Sequence, residues 1–152
     1  MSLLLALLIG VIAGLRAMTA PAAIAWAAYL GWIDLSNTFL SFLGSVWAVG
    51  LLTLFALVEL VTDQLPTTPS RTVPPQFGAR IVMGAIAGAA LGFVAEGVGA
   101  GAVAGIAGAV IGTLGGARAR GALARKFGQD RPAALIEDAI ALLGALLIMV
   151  AA

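Results

Sequence analysis

The chain has no cysteine and no histidine. The first absence removes disulfide scaffolding and thiol nucleophiles, and the second removes the commonest ligand of zinc, copper and haem. Charge is scarce as well: Asp, Glu, Lys and Arg make up 10% of the residues, where a soluble domain carries about 25%. Eight basic and seven acidic side chains cannot clothe a water-soluble surface of 152 residues. What fills the sequence instead is apolar, 62% of it, with a mean hydropathy of +1.12. The solvent of this chain is therefore mostly lipid, and the fold class it predicts is an all-α polytopic integral membrane protein. Its basic residues form one short cluster, so nucleic acid is not an expected partner. No cofactor is expected, and any site must be built from carboxylates, guanidinium groups, hydroxyls and backbone.

About 20 apolar residues cross the hydrocarbon core as a helix, and on that length one transmembrane domain over 1–152 divides into five spans. They are predicted near 3–30, 39–63, 78–96, 98–117 and 132–151. Met1-Ser2-Leu3 lacks a basic leader, and its apolar run outlasts a signal-peptide core, which predicts a retained first span. Pro66, Pro69, Pro74 and Pro75 prevent a continuous helix after the second span and predict a loop at the membrane surface. Glu96-Gly97-Val98-Gly99 leaves room only for a tight turn between the third and fourth.

Arg71 and Arg80 flank one connector, while Arg118, Arg120, Arg125, Lys126 and Arg131 crowd another. The positive-inside rule places both in the cytoplasm, so five crossings predict a cytoplasmic N-terminus and an external C-terminus. The opposite side carries Asp34 and Glu96, and Trp26, Tyr29, Trp32 and Trp47 supply an interfacial belt there.

Two patterns bear on packing. Ile9 to Ala17 and Ile111 to Ala119 match at five of nine positions, and Pro21-Ala22-Ala23-Ile24 resembles Pro132-Ala133-Ala134-Leu135. In the topology above these segments run in opposite directions, which predicts an inverted repeat. Glycines 84, 88 and 92, then 97, 101 and 105, then 108, 112 and 116 recur every fourth residue and make smooth faces for close helix contact. Such faces serve packing within one subunit or a homodimer or larger assembly, and a chain this small favours an assembly.

Six charges stand where hydrocarbon should exclude them. Arg16 lies about 20 Å into its run at 1.5 Å per residue, too deep to snorkel easily. Glu59 and Asp63 share a helix face, and Glu137 and Asp138 open the last span at similar depth. Arg80 lies at the start of the third. Thr19-Ala20-Pro21 follows Arg16 and deletes a backbone donor, which predicts a broken or kinked helix beside the guanidinium. Arg16, Glu59, Asp63, Arg80, Glu137 and Asp138 are thus the candidate ion- or substrate-binding residues. The same residues, paired with one another or with Arg118, would equally serve as static register pins.

Gly14-x-Arg16, Thr19-x-Pro21, Glu59-x3-Asp63-x2-Pro66-x2-Pro69-Ser70-Arg71, Arg80-x3-Gly84 and Glu137-Asp138 together resemble the small bacterial membrane proteins grouped as domain of unknown function 4126. The resemblance covers most of the chain and implies a prokaryotic inner-membrane helical protein, with no activity attached. From the residues, a small transporter or channel-like permease for an ion or small solute, proton-coupled in one version, is the leading expectation. A structural or accessory membrane protein is the alternative. An enzyme is not expected, since no nucleotide-binding loop, metal motif or Ser–His pair is present.

Overall fold

A computed structural model describes residues 2–94 and 97–152. Glu96, expected on the outer side, lies outside the described residues. The described chain is helical throughout: α1 (Ser2–Leu15), α2 (Thr19–Tyr29), α3 (Val46–Thr62), α4 (Pro74–Val94), α5 (Val98–Phe127) and α6 (Asp130–Ala151), with a short 3-10 turn at Ser41–Gly44. Of these, α4, α5 and α6 are long and apolar enough to cross a membrane, whereas α1 and α3 are shorter apolar helices.

The boundaries follow from local chemistry. Pro74 and Pro75 open α4 at positions where the missing amide hydrogens would have no helical acceptor. Ser45 caps α3 by accepting the Ala48 amide at 3.2 Å. Gly128, at φ 70°, ends α5 in the left-handed conformation that glycine adopts without penalty. Pro21 sits in the first turn of α2, where proline is tolerated, so the apolar run 3–30 is divided rather than merely bent.

That division is a reversal. Ile12 packs beneath Gly144 and Arg16 reaches Asp138, so α1 runs antiparallel to α6. The indole of Trp26 donates to Thr53 at 3.0 Å, while the amides of Ala17 and Met18 donate to Glu59, so α2 runs antiparallel to α3. Pocket-lining contacts set α2 against Leu142, Ala145 and Met149, on the α6 side toward its C-terminus. Chain from Ser2 thus rises through α1 to Arg16, turns within three residues and descends again through α2. The 14 residues of α1 reach about 21 Å and the 11 of α2 about 16 Å, both short of the roughly 30 Å hydrocarbon core. The expected first span is in fact a hairpin of two short helices, and of the four helices that follow three are long and apolar enough to cross a membrane, so five spans are not confirmed.

Two more expectations are corrected by the same directions. Gly10 packs on Gly105, Gly14 on Gly112 and Thr113, and Leu15 on Gly116, so α1 and α5 run parallel. An in-plane two-fold relates antiparallel helices, and the inverted repeat is therefore absent; the matched segments are small-residue packing sequence used twice. Both chain ends also lie at one end of the bundle, here called lower, while Arg71 and the basic stretch of α5 lie at the upper end. The expected arrangement, with the N-terminus on the basic side and the C-terminus opposite, does not fit these helix directions.

The bundle centre is α1, α4 and α5, joined through glycine. A Cβ on Gly105 would stand 2.1 Å from the Gly84 carbonyl oxygen, one on Gly88 2.3 Å from that of Gly101, and one on Gly108 2.0 Å from that of Leu7. Backbones touch here, and dispersion between them replaces the hydrophobic force that lipid cannot supply. The glycine faces are consumed inside one chain and are not the surface of an assembly. Below, Ile33, Leu35, Leu40 and Leu43 are buried and Phe39 meets Phe93 edge-on at 5.1 Å, so residues 30–45 close the lower end. Trp26, Tyr29 and Trp47 on the two flanking helices, and Trp32 in the closing segment itself, are all exposed, in keeping with an interfacial belt.

Candidate functional site: a charged layer at the hairpin tip

All six residues expected to form a site come together in one layer around the turn between α1 and α2. Arg16, 0% exposed, is its centre: Nη1 lies 2.6 Å from Asp63 and 3.4 Å from Glu137, and Nε donates to Asp138 at 2.7 Å. Arg80, one turn and a half into α4, sets Nη1 3.4 Å from Glu59 and Nη2 3.8 Å from Asp63. Glu137 and Asp138 are adjacent on α6 and nonetheless both face inward, at 6% exposure each.

Sequence reasoning overlooked three members. Arg71, from the proline-rich loop, is 8% exposed and binds Glu137 through both guanidinium nitrogens, Nη2 at 2.7 Å. Arg120 spans Asp130 at 2.5 Å, Glu137 at 3.4 Å and the Asp63 carbonyl at 2.9 Å. Asp130 completes the outer rim, and Gln64 donates to Asp138 at 3.4 Å. The available signal was charge balance, because the four inward carboxylates Glu59, Asp63, Glu137 and Asp138 need more than Arg16 and Arg80 to offset them. Arg118, expected as a partner, is exposed and takes part in no ion pair among the described residues.

The Glu59 carboxylate has a second role. Its Oε1 accepts the Ala17 amide and its Oε2 the Met18 amide, each at 2.8 Å. These amides lie in the turn that leads into α2, Met18 being its N-cap residue, and the helix dipole favours an anion at that end. Glu59 therefore holds the reversed hairpin in place from a neighbouring helix.

Two cavities adjoin the layer. The upper one, about 370 Å³, is polar and lined by Asp63, Thr68, Ser70, Arg71, Arg80, Arg120 and Asp130. The other, about 360 Å³, is an apolar groove between α3 and α6 with α2 as its floor, reaching inward to Thr19. Thr19 is buried and its hydroxyl has no hydrogen-bond partner, and the Nε of buried Arg80 has none either. Among the described residues no cluster of carboxylates is arranged to hold a metal ion. Away from the layer, at the lower end, the Ser36 hydroxyl and amide both donate to Asp34 and hold its carboxyl below the ordinary value.

A family model matches residues 3–152, and its description is domain of unknown function, DUF4126. The chain belongs to this family. Neither a curated protein nor a solved structure matches it. Membership of DUF4126 accords with the residues that carry the resemblance, since Arg16, Glu59, Asp63, Arg71, Arg80, Glu137 and Asp138 are the layer itself.

Proposed function

We propose that this DUF4126 protein is a small integral membrane permease for an ion or small solute, that it is not an enzyme, and that the charged layer is its site. The carrying observation is positional. Four arginines and four carboxylates converge on a hairpin tip, beneath a polar cavity at the basic end and above a lower end closed by residues 30–45. A buried charged cluster of this kind, with one polar-lined approach, is what a substrate or ion pathway needs. We place the protein in the bacterial inner membrane with the basic end in the cytoplasm, which on the helix directions above puts both chain ends outside. A homodimer or larger assembly is proposed through α3, of which only Val49 and Ala56 are buried.

Flux in reconstituted vesicles tests the reading. Asp63→Asn should remain folded, because Asp63 borders the polar cavity, yet lower ion-dependent flux at least tenfold. Wild-type vesicles indistinguishable from empty ones toward protons, alkali cations, halides and small carboxylates would remove the permease reading. The second reading, a structural or accessory protein, is favoured by the complete burial of Arg16 and its full set of carboxylate neighbours. Static pairs predict that Arg16→Gln alone destroys the fold, and that neutral apolar replacement of Arg16, Asp63 and Asp138 together restores it.

A further inference from the structure

We infer that the hairpin tip is a binding site for a small monovalent anion, and that the Glu59 carboxylate is a tethered occupant of it. The donors are those an anion site requires. The amides of Ala17 and Met18 point at one carboxylate, 2.8 Å from each of its oxygens, at the positive end of an 11-residue helix. Arg80 adds a full positive charge, with Nη1 3.4 Å from Glu59 Oε1.

Buried donors on the residues beside this carboxylate are left without partners. Arg80 is 2% exposed and its Nε has no partner, although an unpaired buried donor is costly. Thr19, in the first turn of the same helix, is 4% exposed and its hydroxyl is likewise unpartnered. A self-contained structural cap would leave neither of them wanting. A mobile anion can reposition itself among them, whereas a carboxylate on an α-helix is confined to the reach of its own side chain.

The occupant is also attached to the right element. Only two of the 17 residues of α3 are buried, so Glu59 is presented by the helix with the least apolar packing to lose on moving. Withdrawal of its side chain vacates a space the size of one carboxylate group beside two amides and a guanidinium. Formate, a halide or nitrate fits that chemistry. A larger or doubly charged anion would crowd Asp63, which stands 3.8 Å from Arg80. This inference deepens the permease reading and rests on it for the anion being cargo; binding itself stands apart from transport.

Chemical rescue tests it. Glu59→Ala and wild-type protein are purified in parallel in native-lipid discs with sodium formate or, at equal ionic strength, sodium gluconate, whose anion is too large for the site. Formate should stabilise Glu59→Ala saturably in thermal unfolding, at concentrations at least tenfold below those giving any equal shift in wild type, and gluconate should not. Identical responses of the two proteins to formate would overturn the proposal, and so would failure to recover folded Glu59→Ala in formate. Vesicle flux separates the two claims: formate binding without any flux removes the permease and leaves the anion site, whereas cation flux without formate binding does the reverse.

Discussion

The glycine-joined centre and the charge-held periphery of this bundle solve the same problem by opposite means. In α1, α4 and α5 the contact is backbone to backbone, with Gly10, Gly84, Gly88, Gly101, Gly105 and Gly108 removing every side chain that would hold the helices apart. In α3 packing is slight, and the helix is secured at its upper end by Glu59 and Asp63 through ion pairs and amide contacts. Dispersion at close range has a single steep minimum and cannot be switched. Ion pairs can be exchanged for other ions or for water. The comparison teaches that rigidity and exchangeability are segregated by residue type, with glycine below the layer and arginine and carboxylate within it.

The sharpest way to break the comparison is steric. Gly105→Leu places a side chain where even a Cβ would lie 2.1 Å from the Gly84 carbonyl oxygen, and no folded protein should be recovered by size-exclusion chromatography. Gly115→Ala, which meets nothing within 4 Å, should elute unchanged. Next in size is Arg16→Gln, which strands Asp63 and Asp138. A loss of about 3 to 5 kcal/mol is expected from thermal or denaturant unfolding. If Arg16→Gln cost no more than a surface substitution, the layer would be hydrated throughout and the contrast with the centre would weaken.

Smaller effects should appear outward from Arg16. Glu59→Gln retains one acceptor for the Ala17 and Met18 amides, and about 1 to 3 kcal/mol is expected, the range for leaving one buried donor unsatisfied. Hydrogen exchange should localise that loss to α2 and α3 and leave α1, α4 and α5 protected. Asp130→Ala removes the 55% exposed partner of Arg120 and leaves the contacts of Arg120 with Glu137 and the Asp63 carbonyl in place. A change of about 1 kcal/mol or less is expected, shrinking further as salt is raised.

Several of these features were legible beforehand, and the failures have physical causes. The helical class, the six inward charges and the value of the glycines follow from composition and spacing, since lipid leaves few alternatives. Direction does not. The run from Leu3 to Leu30 is apolar without interruption except for Arg16, and hydropathy is blind to whether a chain continues or turns back there. Thr19 and Pro21 mark the break but permit either geometry. The match between Ile9–Ala17 and Ile111–Ala119 reflects two helices facing the same neighbours with small residues, which mimics a repeat. Arg71 and Arg120 were assigned to the surface because loop arginines usually are, and only three-dimensional folding turns the Pro66–Pro75 loop inward over Glu137.

The hairpin also imposes an order on biogenesis. Arg16 emerges from the ribosome long before Asp63 and longer still before Asp138, the carboxylates that neutralise it. Until Asp63 has been made at the end of α3, a hairpin tip entering hydrocarbon would carry an uncompensated cation at a cost of a few kcal/mol, and the Glu137 and Asp138 partners follow only with α6. The hairpin thus precedes every carboxylate that holds its tip. The ion-paired layer is complete only when α6 has been made.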